Sequence, residues 1–245
     1  MSSLSGGIPG SSDLAALSGP IDVSDSPDEP QFLSGLTNSR AKASADSGPN
    51  FTASNLLGND RIIGTPRRDV LVGGPGNDIL IGGPGRDRLT GGPGNDLLNG
   101  GPGNDVLLGT LGRNTLIGSS GADLLLGGSG SDRLLAGIGN DRLFGLGGND
   151  VLVGDAGNDI FSGGGGVDVI RTGVGRDRVQ LQAGAGLDIV ADFRNGQDKI
   201  VLGRVSFNRL NFRRARGGVM IQVGRTNAML LQNTALGSIN RADFV

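Results

Sequence analysis

Apolar residues recur along this chain with a period of nine. The eighth position of each nine-residue unit is apolar from residue 71 to residue 179: Leu71, Leu80, Leu89, Leu98, Leu107, Leu116, Leu125, Leu134, Leu143, Leu152, Phe161, Ile170 and Val179. The positions on either side vary between charged, polar and aliphatic residues, as in Arg88 and Thr90. Because side chains alternate across a strand, this pattern predicts strands of about three residues whose central side chain is buried.

An aspartate stands two residues before each apolar position and keeps the same period. The series consists of Asp60, Asp69, Asp78, Asp87, Asp96, Asp105, Asp123, Asp132, Asp141, Asp150, Asp159, Asp168 and Asp177, and Asn114 occupies the missing place. Units such as GGPGNDILI at 73–81 therefore place a glycine-rich turn of about six residues before each strand. Strict repetition predicts a solenoid in which neighbouring units bury one another. Collagen is excluded, since it requires glycine at every third position.

The composition excludes several classes of site. The 48 glycines and an aromatic content of 3% argue against a large conventional core. The chain has no cysteine and no histidine, which excludes disulfides, thiolate zinc sites and histidine-based acid–base catalysis. The single glutamate, Glu29, lies outside the repeats. We therefore predict that this protein is not an enzyme.

The charges are unevenly distributed along the chain. Residues 1–60 carry seven acidic and two basic residues, whereas residues 181–245 carry nine basic and four acidic ones. A nucleic-acid site would combine basic residues with aromatic ones, and tyrosine and tryptophan are absent, so no nucleic-acid partner is predicted. No apolar run approaches the length of a membrane-spanning helix. The N-terminal residues also lack the pattern of a cleavable secretory signal.

The chemistry of the repeat can be read from its residue types. A GGxG turn can direct several carbonyl oxygens to one point, and the aspartate that follows adds an anionic oxygen. A flexible set of oxygen ligands favours calcium over zinc and magnesium. Aspartates stacked about 4.8 Å apart would repel by on the order of 1 kcal/mol per pair even in water. Multiple Ca²⁺ ions are therefore expected to be part of the fold. A metal-free solenoid with tight Asn-Asp turns is the alternative.

The unit GGxGxDxUx, where U is apolar, resembles the nonapeptide of RTX (haemolysin-type) calcium-binding proteins. The resemblance covers roughly residues 58–190 in more than ten copies. It implies an all-β fold, a right-handed parallel β-roll in which two units make one turn and calcium lies between turns. Aspartates 18 residues apart are then paired, as Asp69 with Asp87. The residues expected to hold the metal are Asp60, Asp69, Asp78, Asp87, Asp96, Asp105, Asp123, Asp132, Asp141, Asp150, Asp159, Asp168, Asp177 and Asp188.

Three regions follow from these patterns. Residues 1–52 are predicted to be a disordered tail rich in Ser, Gly and Pro, and residues 53–190 the calcium-binding roll. Residues 191–245 are predicted to be a C-terminal β cap, with strand-like runs at 219–223 and 228–232. Asp188 and Asp198 are expected to bind the last ions. Asn114 is expected to weaken calcium binding in the two pairs that it joins.

The resemblance also implies a location and partners. The residues Asp243-Phe244-Val245 resemble the terminus of type I secretion substrates, so a bacterial protein exported by that apparatus, extracellular or on the cell surface, is expected. Its role would be structural or binding. One alternative is a carbohydrate-associated module of an RTX enzyme system that contacts cell-surface polysaccharide.

A second alternative is a self-assembling surface-layer component. Outward-facing aliphatic residues would supply its lateral patch: Val70, Val72, Ile79, Ile81, Val151 and Val153. The arginines near the aspartates are expected to be solvated residues of the outer face: Arg86, Arg88, Arg133, Arg142, Arg176 and Arg178.

Overall fold

The computed structural model describes residues 21–23, 31–33, 40–43, 51–54, 57–182, 184 and 186–245. Within these residues the chain is all-β, a β-solenoid of about eight turns whose strands form two sheets. Successive strands alternate between the sheets, so each strand pairs in parallel with the strand two places along the chain. The parallel β-roll predicted from the repeat is confirmed.

The first sheet contains the odd-numbered strands of the roll. They are β1 (Ile21–Val23), β3 (Arg40–Ala43), β5 (Arg61–Ile63), β7 (Ile79–Ile81), β9 (Leu97–Pro102), β11 (Thr115–Ser120), β13 (Arg133–Ile138), β15 (Val151–Ala156), β17 (Val169–Arg171) and β19 (Asp188–Val190). The second sheet contains β2 (Gln31–Leu33), β4 (Phe51–Ala53), β6 (Val70–Val72), β8 (Arg88–Pro93), β10 (Val106–Leu111), β12 (Leu124–Ser129), β14 (Arg142–Gly147), β16 (Ile160–Gly165), β18 (Arg178–Gln180) and β20 (Lys199–Val201).

Each sheet contributes a single column of inward-facing side chains to the core. In the first sheet Leu98, Leu116 and Leu134 occupy the same place in adjacent strands, each 18 residues from the next. The eighth residue of every unit from Leu71 to Val179 is at most 1% exposed. Ile62 and Ala53 continue these columns toward the N-terminus. The predicted inward column is confirmed, and burying it supplies the hydrophobic stabilisation of the roll.

The central strands are longer than the three residues predicted. From β8 to β16 each has six residues, because the first half of the following turn also pairs with its neighbours. Such close turns need glycine at the fourth position of the unit. Gly103 has φ +147°, and a Cβ atom there would collide with the carbonyl oxygen of Gly85.

The C-terminal region covers the last turn of the roll. Strands β21 (Leu210–Ala215), β22 (Gly218–Val223) and β23 (Thr226–Gln232) are antiparallel to one another, and β23 pairs in parallel with β19. The runs expected at 219–223 and 228–232 are therefore strands. Phe207, Phe212 and Phe244 form a cluster with ring centroids 5.1–5.9 Å apart. The backbone of Val245 pairs with β20 through hydrogen bonds to Ile200 and Leu202, each 3.0 Å long.

Four strands, β1 to β4, lie within the residues predicted to be a disordered tail. Their pairing continues the alternation of the roll, with Ile21 opposite Ala41 and Thr52 opposite Val70. The rest of 1–52 lies outside the described residues, so its disorder stays a prediction.

The predicted lateral apolar patch is wrong as a single surface. Val70 and Val72 lie on β6 of the second sheet, whereas Ile79 and Val151 lie on β7 and β15 of the first. The prediction failed because consecutive units face opposite sides of the roll. In the part of the chain that the structure describes, no helix is long and apolar enough to cross a membrane.

Candidate metal centre

Aspartate side chains connect the turns along both edges of the roll. One carboxylate oxygen, Oδ1, accepts a hydrogen bond from the backbone N–H of the aspartate 18 residues earlier. Asp87 thus accepts from Asp69 at 2.8 Å, and Asp105 accepts from Asp87 at 2.7 Å. Across the array these bonds measure 2.7–3.0 Å. The expected pairing of aspartates 18 residues apart is confirmed.

The other carboxylate oxygen, Oδ2, is buried and has no hydrogen-bond partner within the described residues. This holds for Asp78, Asp87, Asp96, Asp105, Asp123, Asp132, Asp141, Asp150, Asp159, Asp168 and Asp177. A buried charged oxygen without a partner is costly, and groups of this kind are normally paired or bound to metal. The repetition of the same unpartnered atom in these eleven units indicates a common ligand.

Most of these oxygens lie in a space that a glycine five residues earlier leaves open, whereas Ala136 and Thr172 occupy that position before Asp141 and Asp177. A Cβ atom added to Gly82 would lie 2.5 Å from Oδ2 of Asp87 and 2.6 Å from the carbonyl oxygen of Gly100. The same arrangement recurs at Gly73, Gly118, Gly127, Gly145 and Gly154. A carboxylate oxygen and a carbonyl oxygen of the next turn therefore converge where no side chain intrudes. Oxygen donors of this kind fit a hard cation such as calcium.

Burial makes the charged form of these carboxylates unfavourable when no cation is present. Desolvation, and then repulsion by the neighbouring carboxylates, raises the pKa of Asp87 and Asp123 to about 7. The pKa of Asp96 is raised to about 6 for the same reasons. At neutral pH each such site needs either a proton or a positive ion.

Asn114 interrupts one row in a specific way. Its Oδ1 keeps the usual bond, accepting the N–H of Asp96 at 3.0 Å. Its Nδ2 is buried without a partner and lies where Oδ2 stands in other units, 2.6 Å from the place of a Cβ atom on Gly109. Asn114 therefore retains the link between turns but presents a donor to the site.

Each row ends in an aspartate with altered spacing. Asp198 follows Asp177 by 21 residues, yet its Oδ1 accepts the N–H of Asp177 at 3.1 Å. Asp188 lies beside Asp168, with Oδ1 2.6 Å from the place of a Cβ atom on Gly163. Burial and the charge of Asp168 raise the pKa of Asp188 to about 8. Both residues thus reach the last turns despite the inserted residues.

A second ladder, of asparagines, was not foreseen from the sequence. The side chain of Asn77 accepts the backbone N–H of Asn95 at 2.7 Å, and Asn140 accepts that of Asn158 at 2.8 Å. Each of these asparagines directly precedes a repeat aspartate, so the recurring GND triplet was the sequence signal that could have indicated this ladder. A further contact that was not foreseen involves Thr65, whose backbone N–H donates a hydrogen bond to Oδ2 of Asp69 at 2.6 Å.

The chain matches a protein-family model described as RTX calcium-binding nonapeptide repeat (4 copies). The matches cover residues 56–89, 72–107, 81–116, 108–143 and 144–179, together half of the chain. The chain belongs to the RTX calcium-binding nonapeptide-repeat family. This membership agrees with the converging oxygens of the turns, and calcium is the cation that the repeats bind.

Two solved structures are similar to this RTX chain. The extracellular lipase LipA from Serratia marcescens is 19% identical with a TM-score of 0.36, over 80% of this chain and 44% of the lipase. The AlgE6R3 subunit of the Azotobacter vinelandii mannuronan C5-epimerase is 23% identical with a TM-score of 0.26, over 52% of this chain and 80% of that one. The likeness concerns the fold alone, and the chain spans less than half of the lipase. Among curated proteins none matches the chain.

Proposed function

We propose that this RTX protein folds on binding several calcium ions and has a structural or binding role outside a bacterial cell. The observation that supports this most strongly is the row of buried Oδ2 atoms without partners. An array that buries this many carboxylates needs positive charge at regular intervals. The RTX roll is a structural calcium-binding domain, and we propose no catalytic role for it.

We assign the ligands to two sources. The first is Oδ2 of the repeat aspartates, with Asp188 and Asp198 at the ends of the rows. The second is the carbonyl oxygens of neighbouring turns, such as that of Gly100 beside Asp87. Within the described residues no three acidic side chains converge, so each site depends on backbone oxygens. Sites with so few charges suit the dissociation constants of extracellular modules, about 10⁻⁴ to 10⁻³ M.

A calcium titration tests this proposal. Calcium-free protein at neutral pH should lack β structure and become compact cooperatively as calcium is added, followed by circular dichroism and small-angle scattering. Magnesium at the same concentrations should not replace calcium, because it demands a tighter octahedral site. A spectrum and a radius of gyration that do not change on calcium removal would favour the metal-free solenoid.

Export by a type I apparatus is the second part of the proposal. Low cytosolic calcium would leave the array unfolded, and higher calcium outside would fold it by mass action. We place the export information in the C-terminal region, whose Asp243 is buried and accepts the N–H of Asn240 at 2.9 Å in the folded cap.

Deletion of residues 225–245 in a strain with a matching exporter should therefore retain the protein inside the cell. Deletion of residues 1–52 should leave export intact. The converse pattern, measured by the secreted fraction, would contradict the assignment.

A second candidate function is contact with a cell-surface polysaccharide. The observation that favours it over self-assembly is the exposure of arginines along the outer faces of the roll, whereas the aliphatic residues are divided between two sheets.

A further inference from the structure

Acidic and basic residues of the roll are segregated between inside and outside. In the described stretch 57–182 Asp155 is the one exposed carboxylate, and every other aspartate is buried. All arginines of the same stretch are exposed: Arg61, Arg67, Arg68, Arg86, Arg88, Arg113, Arg133, Arg142, Arg171, Arg176 and Arg178. In this stretch the exposed charges are therefore eleven arginines against one aspartate, although the formal net charge of the chain is −2.

The second sheet carries this charge in a straight column. Its first outward position reads, strand by strand, Val70, Arg88, Val106, Leu124, Arg142, Ile160, Arg178 and Lys199. Arg88 and Arg142 are three strands apart, or about 14 Å, and Arg142 and Arg178 two strands apart, or about 10 Å. Asp155 lies on β15 of the other sheet. Cationic and aliphatic groups are thus interspersed along the roll axis, with no exposed acid on the described part of this face.

Two local features add to the column. Arg176 and Arg178 line a shallow groove of about 280 Å³ together with Ile160, Asn158 and Asp159, whose carboxylate is buried beneath the surface. Two guanidinium groups beside one aliphatic side chain can bind a carboxylate and the apolar face of its carrier. Further along the column the guanidinium of Arg142 lies over the ring of Phe144, 5.7 Å from its centroid. That contact fixes the direction of the arginine.

We propose that the outer face of the second sheet binds an acidic polysaccharide, with its carboxylates on the guanidinium groups of the column. This inference rests on the proposed calcium-dependent folding and names the partner of the folded module. Strands about 4.8 Å apart match the advance of one pyranose residue along an extended sugar chain. The guanidinium group accommodates a carboxylate in a bidentate manner.

Other polyanions fit this face less well. A single-stranded nucleic acid needs aromatic side chains on which its unpaired bases can stack. At the outward-facing positions of the second sheet, in its described strands from β6 to β20, Phe144 is the only aromatic side chain. The guanidinium group of Arg142 already lies over its ring. A membrane surface would select protruding apolar residues, whereas Val106, Leu124 and Ile160, the aliphatic residues between the arginines of the column, are half-buried.

Calcium controls this surface through the fold and does not bridge the partner. In the unfolded chain 24 acidic residues accompany 22 basic ones, so no cationic face exists. Folding places the aspartates inside and leaves the arginines outside. Affinity for the polysaccharide should therefore follow the fraction of folded protein, and further calcium above saturation should not increase it.

Calorimetric titration of the full chain with short oligogalacturonides, in saturating calcium, tests the proposal. The double variant Arg142→Gln/Arg178→Gln should lower the affinity about tenfold or more. The matched control Arg133→Gln/Arg171→Gln removes the same charge from the first sheet and should change affinity less than about twofold. Added salt should weaken binding, and neutral maltooligosaccharides should not bind.

Several outcomes would overturn the proposal. They are equal losses in the two double variants, affinity that keeps rising with calcium above saturation, or stronger binding to phosphatidylserine vesicles or oligothymidylate. Circular dichroism of the same samples separates these outcomes from failure of the proposed function. A chain that folds with calcium but does not bind oligogalacturonides contradicts only the partner, whereas a chain that is indifferent to calcium contradicts the folding proposal itself.

Discussion

Removing calcium should invert the usual pH dependence of stability. In the folded chain burial and neighbouring carboxylates raise the pKa of Asp87, Asp123, Asp150 and Asp159 from 3.8 to about 7. The folded state therefore binds more protons than the unfolded state between about pH 4 and about pH 7. The free energy of unfolding must then increase as the pH falls through that window. Acid should stabilise the calcium-free roll, and neutral pH should unfold it.

The size of the effect is comparable with the whole stability of a domain. One pKa unit corresponds to about 1.4 kcal/mol, so each of these four carboxyls costs roughly 4 kcal/mol above pH 7 before solvent screening. Halving that figure for screening leaves about 2 kcal/mol each, or ~8 kcal/mol for the four. A domain is stable by about 5–15 kcal/mol. The calcium-free array should therefore cross from unfolded to folded between neutral pH and pH 5.

A pH titration of calcium-stripped protein from pH 7.5 to pH 5.0, followed by circular dichroism, measures this change, with size-exclusion chromatography to exclude acid aggregation. Asp123→Asn supplies a neutral side chain at neutral pH, so it should stabilise the calcium-free chain at pH 7.5 by about 2 kcal/mol. The same variant should need more calcium to fold. Asp155→Asn, at the exposed carboxylate whose charge makes the smallest contribution to the raised pKa of Asp159, should change both quantities much less. A calcium-free chain that is less stable at pH 5.0 than at pH 7.5 would refute the reasoning.

Three further predictions concern single positions. Asn114→Asp should lower the calcium concentration at the folding midpoint, and Asp105→Asn should raise it, because the side chain at each position faces a calcium site. Equal midpoints in a calcium titration followed by circular dichroism would contradict this assignment of the sites. Leu107→Ala, in a fully buried column, should destabilise the calcium-loaded protein by about 2–5 kcal/mol in urea. Gly103→Ala should lower the melting temperature sharply, because its Cβ would meet the carbonyl oxygen of Gly85; an unchanged melting temperature would refute that contact.

The roll was predictable because its repeat determines its geometry. A single buried position per unit, such as Leu116, defines the core column, and alternation between two sheets follows from two units per turn. That two units make one turn came from the resemblance to RTX repeats, and the pairing of Asp69 with Asp87 followed from it. The same rule also predicts which face each outward residue occupies, and ignoring it produced the mistaken patch of Val70 with Ile79. That error was one of topology, since the residues were correctly placed on the outside.

The parts outside the repeat were harder to predict. Strand β21 was missed because its LNFRRA sequence has no repeat and few apolar residues. The place of Asp198 in the ladder depends on three inserted residues, two before Asp188 and one after it, and spacing alone does not reveal this. The different contacts of Oδ1 and Oδ2 could be seen only in the structure, because the sequence gives the position of an aspartate but not the direction of its carboxylate oxygens.

The different contacts of the two carboxylate oxygens explain how calcium binding can be cooperative. Oδ1 of Asp123 accepts the N–H of Asp105, which joins two turns of one row, while Oδ2 of the same group faces the space between turns. A cation bound to Oδ2 therefore fixes the orientation of the carboxylate, and with it the hydrogen bond that Oδ1 accepts from the preceding turn. Because of this bond, calcium binding in one turn orders the neighbouring turn. Asn114 separates the two roles, since it keeps the bond to Asp96 but presents Nδ2 to the site. Since the side chain of Asn114 offers no carboxylate oxygen to a cation, coupling between turns should be weaker there, and Asn114→Asp should make the calcium titration of circular dichroism steeper.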